Sequence, residues 1–249
     1  MRTDFEFDKT ANNPKKKGNE MSIDFTGARV AQSQNFLDYV YGGCEINLSV
    51  AIDFSASNKA DMHRSEDQAN NKYIQVIKSA VTIMQYYNST KRIAAYGFGA
   101  KVVPAHETCN SFALTGDIFN PEVNGINGLI QAYQKSLEQV QSDRPCHMSG
   151  MIDTVMKRAE GSHVNGTNQK YQVLMILTNG EVEDIRETIN SSVRSNLQPM
   201  SIIVVVLNRD NYSQIKALES SAEAPLYSKD LNDFADNVQI VEFDDFVQD

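Results

Sequence analysis

Tryptophan is absent from this chain, and cysteine is scarce. The three cysteines, Cys44, Cys109 and Cys146, are odd in number, widely spaced and free of any C-x-x-C pair. That excludes a disulfide framework and a zinc knuckle, and reduced thiols suit the cytosol. The histidines at 63, 106, 147 and 163 show no ligand spacing. No apolar run approaches the roughly 20 residues a membrane-spanning helix needs. The N-terminal segment has no apolar stretch of the secretory type, so a cytoplasmic protein is expected. No Walker A sequence exists, which removes nucleotide hydrolysis through a P-loop. There is no G-x-S-x-G, and no histidine is placed to serve a serine nucleophile as base. Basic residues are outnumbered, giving a net charge of −9. An acidic surface repels a phosphate backbone, so nucleic acid is not an expected partner. The one basic cluster, in NPKKKGNE, reads as a solvated linker.

What is present is an ordinary globular composition, 41% hydrophobic and 22% charged. Residues 1–22 read as a tail or linker from an upstream region, with DFEF as the last strand of something before it. Residues 23–249 read as one domain. QNFLDYVYGG (34–43) has the pattern of a short helix stopped by Gly42 and Gly43. INLSVAIDF (46–54) is apolar enough to be a strand buried on both faces. Tyr73, Val76, Ile77, Ala80, Val81 and Met84 recur at helical spacing over about 71–88. RIAAYGFG (92–99) is a second strand, and 100–123 is irregular with short strands. Helices follow over 125–140 and 149–160, then a strand and turn at 171–180. A helix at 182–197 carries acids in its first turn, as the helix dipole prefers. A buried strand at 199–208, a short helix near 211–220 and a last strand at 237–246 close the pattern. Alternating helices and doubly buried strands predict an α/β fold, a mostly parallel sheet with helices on both faces. In such sheets a ligand site lies beyond the carboxyl ends of the strands, where Asp53, Asn179 and Asn208 fall.

The stretch DFSAS follows the first buried strand. Asp53, Ser55 and Ser57 place hard oxygen donors at alternate positions in a loop, a set suited to magnesium or manganese. The plain alternative is a strand-to-loop turn in which Asp53 caps backbone N–H groups.

With D-x-S-x-S in that place, the sequence resembles the von Willebrand factor A-type fold, and more narrowly the A domain of the copines. The matching blocks are FLDYVYGGCEINLSVAIDFSASN (36–58), AAYGFGAKV (94–102), NPEVNGINGLIQAYQKSL (120–137), YQVLMILTNG (171–180) and PMSIIVVV (199–206). The resemblance implies a Rossmann-like sandwich with a six-stranded sheet and a magnesium- or manganese-dependent protein-interaction site on its top face. It also implies a place beside calcium- and phospholipid-binding C2 domains, with the chain cytoplasmic and recruited to membrane through them. Two positions depart from the family pattern. Cys146 stands where a threonine is expected, and Asn179 replaces the acid of a T-D-G turn. A soft thiol and a lost charge imply a weak or vacant metal site. Asp53 is then its only carboxylate unless Glu181 swings in. The function implied is a non-enzymatic adaptor that recruits a protein partner through the loops around Asp53, Ser55, Ser57, Cys146 and Asn179. A similar A domain binds substrate in RING-type ubiquitin ligases, although no RING cysteines are present.

Other motifs carry less. GFG at 97–99 lacks a third glycine and a following helix, so it reads as a turn. A haloacid-dehalogenase-type phosphatase also places an aspartate after a buried strand, but it needs a second acid where Ser55 stands. Cys146 and His147 are sequence neighbours that a turn would point apart. Met148, Met151 and Met156 fit core packing at helical spacing, and Asp244, Asp245 and Asp249 a solvated end.

Overall fold

A computed structural model describes residues 36–58, 62–63, 71–104, 107–162, 168–208, 211–221 and 223–243. The chain divides into two compact units, Met1–Gly43 and Cys44–Asp249. In the first, helix α1 (Phe36–Tyr41) ends as its sequence predicts: Gly43 takes φ +93°, and the Gly42 amide donates to the Asp38 carbonyl at 2.9 Å. The expected tail boundary at residue 22, the DFEF strand and the acidic end all lie outside the described residues.

The second unit is built on β1 (Glu45–Asp53), β2 (Asn88–Phe98), β7 (Lys170–Thr178), β8 (Met200–Val206) and β11 (Val238–Glu242). These five are mutually parallel in the order β11-β8-β7-β1-β2. Two short antiparallel strands, β4 (Phe112–Ala113) and β5 (Glu122–Asn124), both pair with β2. The path therefore holds six strands, and β5 adds a seventh off it. Minor ladders join β3 (Ala100–Val102) to β6 (Val140–Ser142), and β9 (Leu226–Ser228) to β10 (Asp233–Ala235).

The central strands are buried on both faces because helices lie on both. Along β1, Leu48, Val50 and Ile52 point one way and Ala51 the other, and all four are buried. On the Ala51 side, α5 (Ser149–Glu160) supplies Met151, Ile152 and Val155 to a core shared with Leu174, Ile176, Ile202 and Val204. Helix α6 (Ile185–Ser195) adds Ile185 and Ile189. Helix α4 (Gly125–Leu137) packs over β2 beside a continuous helical stretch formed by α2 (Lys72–Val76), a π turn (Ile77–Val81) and α3 (Thr82–Gln85). Tyr73, Ile74, Val76, Ile77, Leu129 and Tyr133 are buried side chains of this layer. Helix α7 (Tyr212–Ile215) precedes a 3-10 turn (Lys216–Leu218). Met148 and Met151 are fully buried and Met156 packs against the same core, as the helical spacing predicts.

Helix α6 begins three residues later than expected. The Asp184 carboxylate caps not its own helix but the start of α5, accepting from the Met148 amide at 2.9 Å and the Ser149 amide at 3.0 Å. It also accepts from the Thr188 hydroxyl at 3.1 Å. Two orphan donors of one helix are thus satisfied from the next.

Candidate functional site

β1 and β7 are adjacent, so Asp53 and Thr178 at their carboxyl ends come together. Asp53 ends β1 with its side chain fully buried. One carboxylate oxygen accepts from the Ser55 amide at 2.8 Å and the other from the Thr178 hydroxyl at 2.8 Å. The turn reading of Asp53 is therefore realised in the structure. The Ser55 and Ser57 hydroxyls are 2.6 Å apart, and the Asn179 side-chain amide donates to Ser57 Oγ at 3.0 Å. The Cys146 thiol, also fully buried, lies against Ser55 and Asp53. The five residues singled out in the sequence thus occupy one place.

Their exposure differs from expectation. Asp53, Ser55, Cys146 and Asn179 are buried, and only Ser57 reaches the surface in part. The expectation is a partner recruited through the loops around these residues; four of the side chains form a floor beneath those loops. The physical reason is mutual satisfaction, since each polar group finds its acceptor or donor inward. Glu181, the substitute acid considered for the site, is turned away to Arg144 at 3.1 Å.

Burial raises the Asp53 carboxyl above the usual carboxylate range, against the lowering effect of hydrogen bonds from Ser55, Thr178 and Asn179. Burial also pushes the Cys146 thiol far up, and the neighbouring Asp53 charge adds to it. A neutral, enclosed thiol is no nucleophile. His147 faces Asn110 at 3.4 Å, so Cys146 and His147 do not form a nucleophile–base pair.

Beneath the loop lies a support that the sequence did not announce. The His63 ring stacks between Phe54, with centroids 5.4 Å apart, and Tyr73, at 4.2 Å. One ring nitrogen pairs with the Asp53 carbonyl at 3.0 Å, the other with the Tyr133 hydroxyl at 2.8 Å. Asn71 joins Tyr133 from the start of α2, and Tyr73 donates to Asn58 at 2.7 Å. Asn58 in turn donates to the carbonyls of Asp53 and Ser55. Burial lowers the His63 pKa to about 4, so the ring is neutral near pH 7. An isolated histidine in a polar stretch gives no periodic signal, and only the tertiary fold assembles this stack.

On the far side Gly99 approaches Ser55 closely. It sits at φ +74°, and a Cβ there would lie 2.7 Å from Ser55 Cβ. The GFG segment is a strand-end turn, as read from the sequence.

The family model for Copine matches residues 61–249. The chain belongs to the copine family. Nicotinic receptor-associated protein 1 of Caenorhabditis briggsae is 32% identical over 214 residues, covering 82% of this chain and 34% of that protein. This copine chain therefore spans about a third of the length of that curated relative. Among solved structures, manganese-loaded Plasmodium vivax TRAP protein is similar at TM-score 0.44 and 9% identity, over 81% of this chain and 70% of that one. The copine chain folds as the A-type sandwich that the resemblance implied.

As a cation site the copine loops fit poorly. Among Asp53, Ser55, Ser57, Cys146 and Asn179, Asp53 is the one carboxylate, with both oxygens engaged. The nearest sulfur is a protonated thiol, and an amide N–H faces Ser57. Among the described residues no group of three or more His, Cys, Asp or Glu is placed to hold a metal. Hard cations such as magnesium demand several oxygen donors with free lone pairs.

Proposed function

We propose that this copine domain is a non-enzymatic adaptor that recruits a protein partner through the rim above the Asp53 floor. The observation that carries the reading is the stitching of three loops into one surface. The Ala56 amide donates to the Asp143 carbonyl at 2.9 Å, joining the loop after β1 to the loop after β6. The Glu183 amide donates to the Cys146 carbonyl at 3.0 Å, and the Cys146 amide returns a bond to the Glu183 carboxylate at 3.2 Å. Arg144 spans Glu181 and Glu183 across the seam. Ala56 and Arg144 are exposed on this rim. A preorganised surface loses little entropy on binding, which suits a docking face.

Against a phosphatase stands the burial of Asp53, because an attacking carboxylate must reach its substrate. In this reading, membrane contact comes from calcium- and phospholipid-binding C2 modules of the kind whole copines carry. The A-type domain supplies the protein contact. One relative carries the name of a nicotinic receptor-associated protein, so a nicotinic receptor preparation is the first partner to try. Immobilised wild-type chain is expected to retain it, and Ala56→Arg, which fills the rim without entering the core, to lose it. Equal retention by wild type, Ala56→Arg and Arg144→Glu would remove the rim from the mechanism.

A further inference from the structure

The orientation of one amide decides what the Asp53 floor can hold. Asn179 Oδ1 accepts from the Glu181 backbone N–H at 2.9 Å. A backbone N–H can only donate, so the oxygen of the side chain must lie there. The Asn179 NH2 is left pointing at Ser57 Oγ, 3.0 Å away. The backbone carbonyl of Asn179 is itself held by the Asn211 side-chain amide at 3.1 Å, so the whole residue is fixed.

That donor sets a direction for the protons beyond it. Ser57 Oγ accepts from Asn179, and its own proton is then free for Ser55 Oγ at 2.6 Å. Ser55 in turn has its hydroxyl proton for the Asp53 carboxylate beside it. This sense of the chain gives the buried carboxylate a further donor, besides the Ser55 amide, the Thr178 hydroxyl and the Asn179 backbone N–H. The reverse sense would turn the Ser57 proton outward and take a donor from a fully buried acid, which is costly.

We infer that Asn179 replaces a divalent cation in this domain: a relay from Asn179 through Ser57 and Ser55 compensates Asp53 with protein hydrogen bonds alone, so the loops are assembled without metal. A cation needs lone pairs directed at it, whereas here N–H and O–H groups point at those lone pairs. Cys146 closes the remaining side with a neutral thiol, a poor ligand for a hard ion. The inference deepens the adaptor reading in one respect, since rim contacts would then persist under chelation. It stands or falls independently of any partner.

The test uses the full 249-residue chain. Free manganese is followed by electron paramagnetic resonance during a titration into the millimolar range, and thermal unfolding by circular dichroism is recorded in EDTA, magnesium and manganese. Wild type is expected to take up no manganese and to melt at one temperature in all three. Asn179→Asp removes the donor and adds a charge. It is expected to melt several degrees lower in EDTA and to recover in manganese. Its affinity, and that of Asn179→Asp/Cys146→Thr, is expected to be at least about tenfold tighter than the weakest binding the titration resolves, a limit that wild type does not reach. Ser57→Ala breaks the relay without adding charge and is expected to be destabilised equally in EDTA and in metal. Uptake of manganese by wild type that Asp53→Asn abolishes would overturn the inference, as would an Asn179→Asp melt in EDTA identical to wild type. Because no partner enters these measurements, a failed receptor pull-down does not alter their outcome.

Discussion

Two substitutions at Asp53 separate the roles of its shape and its charge. In Asp53→Ala the Ser55 amide loses its acceptor at 2.8 Å and the Thr178 hydroxyl loses its own at 2.8 Å. Both groups stay buried, and each unmet donor costs about 1–3 kcal/mol. Set against this is the relief of a carboxylate that burial already disfavours. The net loss works out at roughly 2–4 kcal/mol, a large share of the ~5–15 kcal/mol that holds a domain of ordinary stability. Asp53→Asn keeps the outline. Its oxygen still accepts from Ser55, and its NH2 meets Thr178 Oγ1, which accepts one bond already, from the Gly180 amide at 3.1 Å, and has room for another. The Thr178 proton loses its acceptor here too, but the Ser55 amide keeps its own, so the expected cost is about 1–2 kcal/mol, below that of alanine. Urea unfolding followed by circular dichroism measures both, the chain having no tryptophan to report by fluorescence. Equal destabilisation by the two variants would mean that the negative charge itself is required, as it would be opposite a bound cation. The hydrogen-bond account of the floor would then be wrong.

Gly99→Ala places a side chain at φ +74° and against Ser55, and is expected to destabilise by roughly 1–3 kcal/mol; thermal melts within error of wild type would refute the close approach. His63 has its pKa lowered by burial to about 4 from 6.5, so the unfolded chain binds its proton first on acidification. Its contribution is complete above about pH 6.5, is lost as pH falls towards 4, and amounts to about 3 kcal/mol at most. Unfolding free energies measured across that window should slope for wild type and flatten for His63→Gln.

Strong periodicity made much of this fold readable. The stripe Ile152, Val155, Met156 and Ala159 gave α5 its observed limits, and the doubly apolar runs gave β1, β7 and β8. The β9–β10 hairpin was not legible, because three-residue strands are too short to show a period of two. Strand β2 starts at Asn88, which the sequence reads as the end of the preceding helix, rather than at Arg92, where the apolar run begins, and Lys91 within it takes φ +54°. Asp53, Ser55, Ser57 and Asn179 were legible from their places at the ends of buried strands, while Cys146, and the significance of an amide at 179, came only through the family pattern. Their burial was hidden, because it depends on partners up to 125 positions away, such as Thr178 for Asp53. The His63 support belongs to the same class: Phe54, Tyr73 and Tyr133 meet it only once the helices are packed.

The carboxylate of Asp184 has a consequence for how such a domain can drift under mutation. Its α5 partners are main-chain amides, present whatever side chains occupy 148 and 149. A second-site substitution there has nothing to swap, so a lost Asp184 cannot be rescued by charge reversal. The exposed Arg186–Asp230 pair, by contrast, can be exchanged end for end. Descendants of this sequence are therefore free to rewrite that surface pair, while the acid that bolts α6 to the start of α5 has no compensating route away from itself.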